Sequence, residues 1–189
     1  MQESRSENLQ AARSHAMRQK IIEATHQVIG EKGVPAVTFR SVAQVAGVAL
    51  GSLSYHFADK NELMLAATEF SKTRFLMRCQ VAWQAAEHNG DLAASLAELI
   101  EELTVRTRDE LVVDYELFLA AFYHPKSRIV SAEWSHETIR DLMRFTSADK
   151  ANLLAYTFEG LCLHAAKLGK MYFADDVLPL FRIVLDRAP

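Results

Sequence analysis

Residues 38–63, TFRSVAQVAGVALGSLSYHFADKNEL, constrain the fold of this chain more than any other stretch. They read as two short helices joined by a tight turn, followed by the start of a third. Thr38 is placed to cap the first helix, its hydroxyl accepting a bond from a backbone N–H two or three residues on. Val42, Ala43, Val45 and Ala46 give that helix an apolar side, and Ala43 is small enough for a second helix to cross closely. Gly47 stands where the first helix must stop. The backbone there needs a left-handed conformation, which glycine adopts without steric cost. Val48 and Leu53 fall where they pack under the crossing. Helix, glycine turn, helix is the helix-turn-helix arrangement, whose second helix enters the DNA major groove.

The following helix starts at Asp59, which can cap it, with Glu62 three residues later to complete a capping box. Leu63, Met64 and Leu65 open its apolar run. Lys60 lies in the first turn, where the helix dipole disfavours a cation by a few tenths of a kcal/mol. A lysine kept there beside the recognition helix points to a phosphate contact.

With these residues in view, the chain resembles the tetracycline-repressor (TetR) family of bacterial transcriptional regulators. The resemblance runs from about Arg18 to Phe70. It comprises RQKIIEATHQVIGEKG with its Gly33 stop, VTFRSVAQVAGVALGSLSYHF with its aromatic-His-Phe ending, and ADKNEL. Two positions depart from the family pattern: Ala49 stands where a Ser or Thr often caps the recognition helix, and Ser54 where a Tyr is frequent. The first forgoes ~1 kcal/mol of capping. The second shortens the reach toward bases, leaving operator sequence less defined than binding mode.

Composition agrees with an all-helical protein. Of 189 residues, 50% are hydrophobic, enough for a sizeable core, and only four are proline and seven glycine. The net charge is −3, which is not that of a generally basic nucleic-acid binder. Residues 1–60 hold seven Lys/Arg against five Asp/Glu, and residues 61–189 fourteen against nineteen. The cationic tilt is thus mild and N-terminal, and charge alone would not suggest DNA. Cys79 and Cys162 are too few and too apolar in setting for a disulfide framework or a metal knuckle. The polar N-terminus MQESRSENLQ has no signal core, and no run approaches the ~18 apolar residues of a membrane helix. These features predict a cytoplasmic protein with no membrane partner.

The expected order is a mobile polar arm over residues 1–12, a first helix from about Ser14 to Glu31, and then the helix-turn-helix. A long helix runs from Lys60 to about Glu87, stopped at Asn89-Gly90. Asp91 caps the next, whose Leu92, Leu96, Leu99, Ile100 and Leu103 share a face. Further helices are expected over about Asp114 to Tyr123, after Pro125, from Ala148 to Leu168 with Ser147 as cap and Gly169 as stop, and from Asp175 to Asp186. The fold class is all-α, with about nine helices: a helix-turn-helix domain over 13–58 and a larger helical body over 59–189 for ligand binding and dimerisation.

Catalytic patterns are missing from the sequence. There is no Gly-x-Ser-x-Gly elbow, His136-Glu137 meets Arg140 where a second histidine would be needed, and Gly30–Gly33 lacks phosphate-loop spacing. The seven histidines do not group at metal-ligand spacing, so no metal, cofactor or enzymatic activity is expected.

The matching positions of the family motif imply the DNA contacts. Thr38 and Lys60 would meet phosphate, and Arg40 a guanine edge or a phosphate. Leu50, Gly51, Ser52 and Ser54 would face the groove, Leu50 against a thymine methyl and Ser52 against a base or phosphate. Tyr55 and His56 would hold the backbone. So short a recognition helix reads few base pairs, which implies a homodimer on a palindromic operator. ANLLAYTFEGLCLHAAKLG and VLPLFRIVL are apolar over more than one stripe, which makes Leu153, Tyr156, Leu161, Leu163 and Leu180 the interface candidates. The family also implies a cavity for a small-molecule effector, with Phe70, Arg74, Met77, Trp83, Phe118, Phe122 and Trp134 as candidate lining. The resulting expectation is a ligand-responsive repressor. The alternatives are a helical small-molecule-binding protein or enzyme with a vestigial DNA-binding head, and a module whose exposed helix meets a protein.

Overall fold

The structure, a computed structural model, describes residues 2–186. Among them are nine α-helices and no strand: α1 Gln2–Lys32, α2 Phe39–Ala46, α3 Leu50–His56, α4 Lys60–Asn89, α5 Leu92–Glu101, α6 Arg108–Ala121, α7 Pro125–Leu142, α8 Ala148–Leu168 and α9 Ala174–Asp186. A 3₁₀ turn, Val34–Ala36, precedes α2, and a π-helical turn, Glu102–Arg106, separates α5 from α6. None of these helices is long and apolar enough to cross a membrane. The chain divides into two compact units after Phe70, a point that falls within α4.

The first unit is built around α1. Its Ile21, Ile22, Ala24, Val28 and Ile29 are buried at helical spacing, with Val37, Val42, Ala43, Ala46, Leu53, Phe57, Leu63 and Met64 completing the core. Two polar devices accompany them. His26 Nε2 lies 3.0 Å from the Ala67 carbonyl, and the Arg18 guanidinium sits 4.9 Å above the Phe57 ring. Residues 2–12 of the expected mobile arm are instead the first part of α1, which begins at Gln2; Met1 lies outside the described residues. Residues 2–29 contain neither Gly nor Pro, so nothing local interrupts the helix.

The core of the second unit gathers Phe75, Cys79 and Trp83 from α4 with Leu96, Ile100 and Leu103 and, from the later helices, Leu142, Leu154, Phe158 and Phe181. Asp91 caps α5 as expected, accepting from the Ala94 N–H at 3.0 Å, and also pairs with Arg182. Ser147 holds the N-cap position of α8, but its hydroxyl makes no capping bond. Gly169 ends α8 at φ 68°, a backbone that favours glycine.

The π-helical turn and the early start of α6 at Arg108 are departures from the sequence expectation. The Thr107 N–H donates to the Glu102 carbonyl, five residues back, at 2.8 Å. Thr104 is fully buried in this turn and its Oγ1 lies 3.2 Å from both the N–H and the carbonyl of Tyr172. Glu101 accepts from the Ala174 N–H at 2.9 Å, supplying α9 with a cap from another helix.

Candidate nucleic-acid interface and ligand cavity

The start of α2 is held by a reciprocal cap. The Ser41 N–H donates to Thr38 Oγ1 at 3.0 Å, and the Thr38 N–H donates to Ser41 Oγ at 2.9 Å. A serine thus does the work usually given to Glu or Gln. Gly47 ends the helix in the left-handed region, φ 63° and ψ 41°. Ala49 leads α3 with no side-chain cap, as its missing hydroxyl dictates. Asp59 accepts from the Glu62 N–H at 2.9 Å, while the Glu62 carboxylate takes the Ala58 N–H at 2.7 Å rather than that of Asp59.

One side of α3 is locked and the other is free. Leu53 of α3 and Phe57, the residue just past its end, are buried and fix the helix to the core of its unit. Gly51, Ser54 and Tyr55 are exposed, as is Leu50 at 47%. Tyr55 is 79% exposed and meets the His56 ring edge to face at 5.0 Å. Ser52 and His56 are half-buried, and Thr38, Arg40 and Lys60 are exposed. Lys60 Nζ makes only a long bond, 3.4 Å, to the Val34 carbonyl. A methyl group added at Gly51 would meet nothing within 4 Å, so packing within the chain does not require glycine there.

The second unit contains an apolar cavity of about 110 Å³. Phe75 of α4 and Leu111, Tyr115 and Phe118 of α6 form part of its wall. Trp134 and Ile139 of α7 and Tyr156, Phe158 and Cys162 of α8 form most of the rest. Phe75 and Trp134 have ring centroids 5.2 Å apart, with Phe158 6.1 Å from Phe75 and Phe118 6.2 Å from Trp134. The Tyr115 hydroxyl is tied to the Glu159 carbonyl at 3.0 Å.

Asp114 is the buried charge of this wall, 5% exposed. Burial pushes its carboxyl up to about 6, opposed first by the Ser71 hydroxyl and then by the nearby Arg74 and Arg78, and helped by the like charge of Glu110. Arg74 Nη2 stands 3.9 Å from Asp114 Oδ1, too far for a hydrogen bond, and that oxygen accepts none. Glu110 bridges the arginines, 3.4 Å from Arg74 Nη1 and in direct contact with Arg78. Cys79 and Cys162 are free and buried, and burial pushes both thiols up, so neither offers a thiolate.

Of the residues the sequence suggests for a ligand, the cavity brings together Phe118 and Trp134. Arg74 stands behind the wall. Met77 and Phe122 are exposed, 64% and 59%. On α4 the inward phase runs through Phe75, Cys79, Ala82 and Trp83, and Met77 falls outside it; Phe122 lies just past the end of α6. Trp83 is buried elsewhere in the core, 6.0 Å from the Phe145 ring. Phe70 belongs to the first unit, edge-on to His26 at 5.0 Å. Asp114, Tyr115 and Phe158 are among the additions; for Asp114 the available signal was an acid within the apolar run LVVDYELFL. Among the interface candidates, Leu153, Tyr156, Leu163 and Leu180 are exposed, while Leu161 is half-buried against the core.

A family model described as "Bacterial regulatory proteins, tetR family" matches residues 21–67. A second, "Tetracyclin repressor-like, C-terminal domain", matches residues 87–188, more than half of the chain. The chain belongs to the TetR family. The HTH-type transcriptional regulator BetI of Burkholderia mallei is 43% identical over 180 residues, 90% of this chain and 92% of BetI. The HTH-type transcriptional regulator PksA of Bacillus subtilis is 27% identical over 143 residues, 75% of this chain; the match spans 64% of PksA. Among solved structures, the multidrug binding protein EbrR complexed with ethidium superposes with a TM-score of 0.78 at 31% identity, covering 89% of this chain and 98% of EbrR. This TetR-family chain is therefore a helix-turn-helix, ligand-responsive transcriptional regulator.

Proposed function

We propose that this regulator is a repressor that binds a palindromic operator as a homodimer and leaves it when a small-molecule effector enters the cavity. The observation that carries the proposal is the division of α3 into a side anchored by the buried Leu53, with Phe57 buried just past the helix end, and an exposed side, Leu50, Gly51, Ser54 and Tyr55. In this reading the exposed side enters the major groove. Arg40 and Ser52 reach bases or phosphates, and Thr38, Tyr55, His56 and Lys60 hold the backbone. The DNA-binding domain is 13–58 and the regulatory domain 59–189.

Dimerisation falls to α8 and α9, whose Leu153, Tyr156, Leu163 and Leu180 leave apolar surface exposed. Two heads then meet two half-sites, as so short a reading helix requires. The effector reading is supported by the aromatic cavity, and by EbrR, which has been solved with ethidium, malachite green and proflavin. Helix α4 is the element through which the effector acts. It holds Lys60 in its first turn and Phe75 in the cavity wall. The effector shifts the DNA-bound equilibrium only by its differential affinity for the two states. The action is placed in the cytoplasm.

Lys60→Glu tests the contact set. It should weaken binding to every DNA sequence alike and lower the slope of log affinity against log salt by about 1. Unchanged affinity and salt slope would remove Lys60 from the phosphate contacts.

A further inference from the structure

The cavity is sided in charge as well as aromatic. Its lining contains two ionisable acids, Asp114 and Glu159, and no lysine, arginine or histidine. Phe75, Phe118, Trp134 and Phe158 form a connected cluster of rings, whose faces attract cations. Asp114 is buried in the same wall, with one carboxylate oxygen that accepts no hydrogen bond and a cation, Arg74, held 3.9 Å away. An ionised carboxylate so placed is costly to keep, and a cation that reaches it lowers that cost. The volume, about 110 Å³, suits one ring or one compact ammonium group. Glu159, exposed at the edge of the lining, leaves a way out for the remainder of a larger molecule.

We propose that the cavity selects an organic cation carrying an aromatic ring, and that the cation takes Asp114 from Arg74. This rests on the reading of the cavity as the effector site and names the chemistry of its ligand. Asp114 is the specificity-determining residue, since it is the buried anion of the lining. Arg74 is a positioning residue. It holds Asp114 while the cavity is empty and keeps Glu110, 3.4 Å from its Nη1, as a partner when Asp114 turns to the ligand. Because Arg74 belongs to α4, the exchange loosens a tie between α4 and α6 in the step that seats the ligand. A neutral ligand of the same shape fills the space without making the exchange.

The test is calorimetric titration of the full-length, DNA-free protein with benzyltrimethylammonium, with its neutral isostere neopentylbenzene, and with benzenesulfonate. The cation should bind at least tenfold more tightly than the isostere, and the anion least of all. Asp114→Asn should weaken the cation at least tenfold and leave the isostere unchanged. Arg74→Gln should tighten the cation severalfold, an outcome that a merely structural role for Arg74 would not produce. Circular dichroism and melting confirm that each variant is folded. Equal affinity for cation and isostere, an Asp114→Asn variant that keeps its cation affinity, or an Arg74→Gln variant that loses it would each overturn the proposal. DNA binding is measured separately. Operator binding without cation selectivity sinks this inference alone, whereas cation selectivity without any DNA binding sinks the repressor reading instead.

Discussion

Gly51 occupies an exposed helical position where the protein's own packing has no need of glycine. Glycine in a helix interior costs ~0.5–1 kcal/mol against alanine. In the proposed complex glycine has a use there, since the DNA backbone or a base edge can come closest where no side chain intervenes. Gly51→Ala should therefore raise the stability of the head by ~0.5–1 kcal/mol in thermal denaturation while lowering affinity for operator DNA. A variant with full affinity would leave Gly51 without a function. Asp114 is the matching case in the body. Its folded carboxyl, at about 6, lies above the ordinary value of roughly 3.9. Between those values the folded protein holds a proton that the unfolded chain has released, so stability falls as pH rises through the window. The full cost, on the order of 3 kcal/mol, is present above about pH 6 and absent below about pH 4. Urea denaturation of Asp114→Asn should show a flatter stability profile between pH 4 and 7 than the parent protein; parallel profiles would contradict this assignment. The Asp114 residue type was readable from the sequence, but its burial was not. That depends on which helices cover α6, which no local pattern specifies.

At the scale of elements, the helix-turn-helix was legible because its signals are local. The cap at Thr38, the left-handed turn at Gly47 and the missing cap at Ala49 each follow from one or two residues. The partner of Thr38 was less visible, because Ser41 fills the place of a longer acid or amide and also donates to the Ala36 carbonyl at 2.8 Å. Thr38→Ala should destabilise the head by ~1 kcal/mol, measured by chemical denaturation, and weaken DNA binding beyond what the stability loss explains if its hydroxyl also meets phosphate. The π-helical turn at Glu102–Arg106 could not be read, because its fit depends on a bond between Thr104 and Tyr172, sixty-eight residues away. The cavity candidates divide on the same ground. Phe118 and Trp134 reach it, but Met77 and Phe122 miss it through helical phase, and Trp83 packs on Phe145 instead. Large soft side chains mark a helix as apolar without saying which neighbour each will meet.

At the scale of the whole molecule, the all-α class and the TetR-family membership rest on features spread along the chain, and both were legible early. Specificity is a different matter. The exposed side of α3, proposed to face the groove, offers few long polar side chains, since Leu50, Gly51 and Ser54 reach little. In the proposed complex much of the discrimination would then fall to Arg40, to backbone positioning and to the shape of the DNA itself. In the proposed homodimer two copies of the head share one operator, and the apolar residues exposed on α8 and α9 are where the second copy would join. All of this converges on one measurement, selection of bound duplexes from a random DNA pool by the purified full-length protein. A homodimeric repressor should enrich a two-fold inverted repeat whose half-sites lie about one helical turn apart. Enrichment of no sequence, or of a single unrepeated site by a dimeric sample, would contradict it.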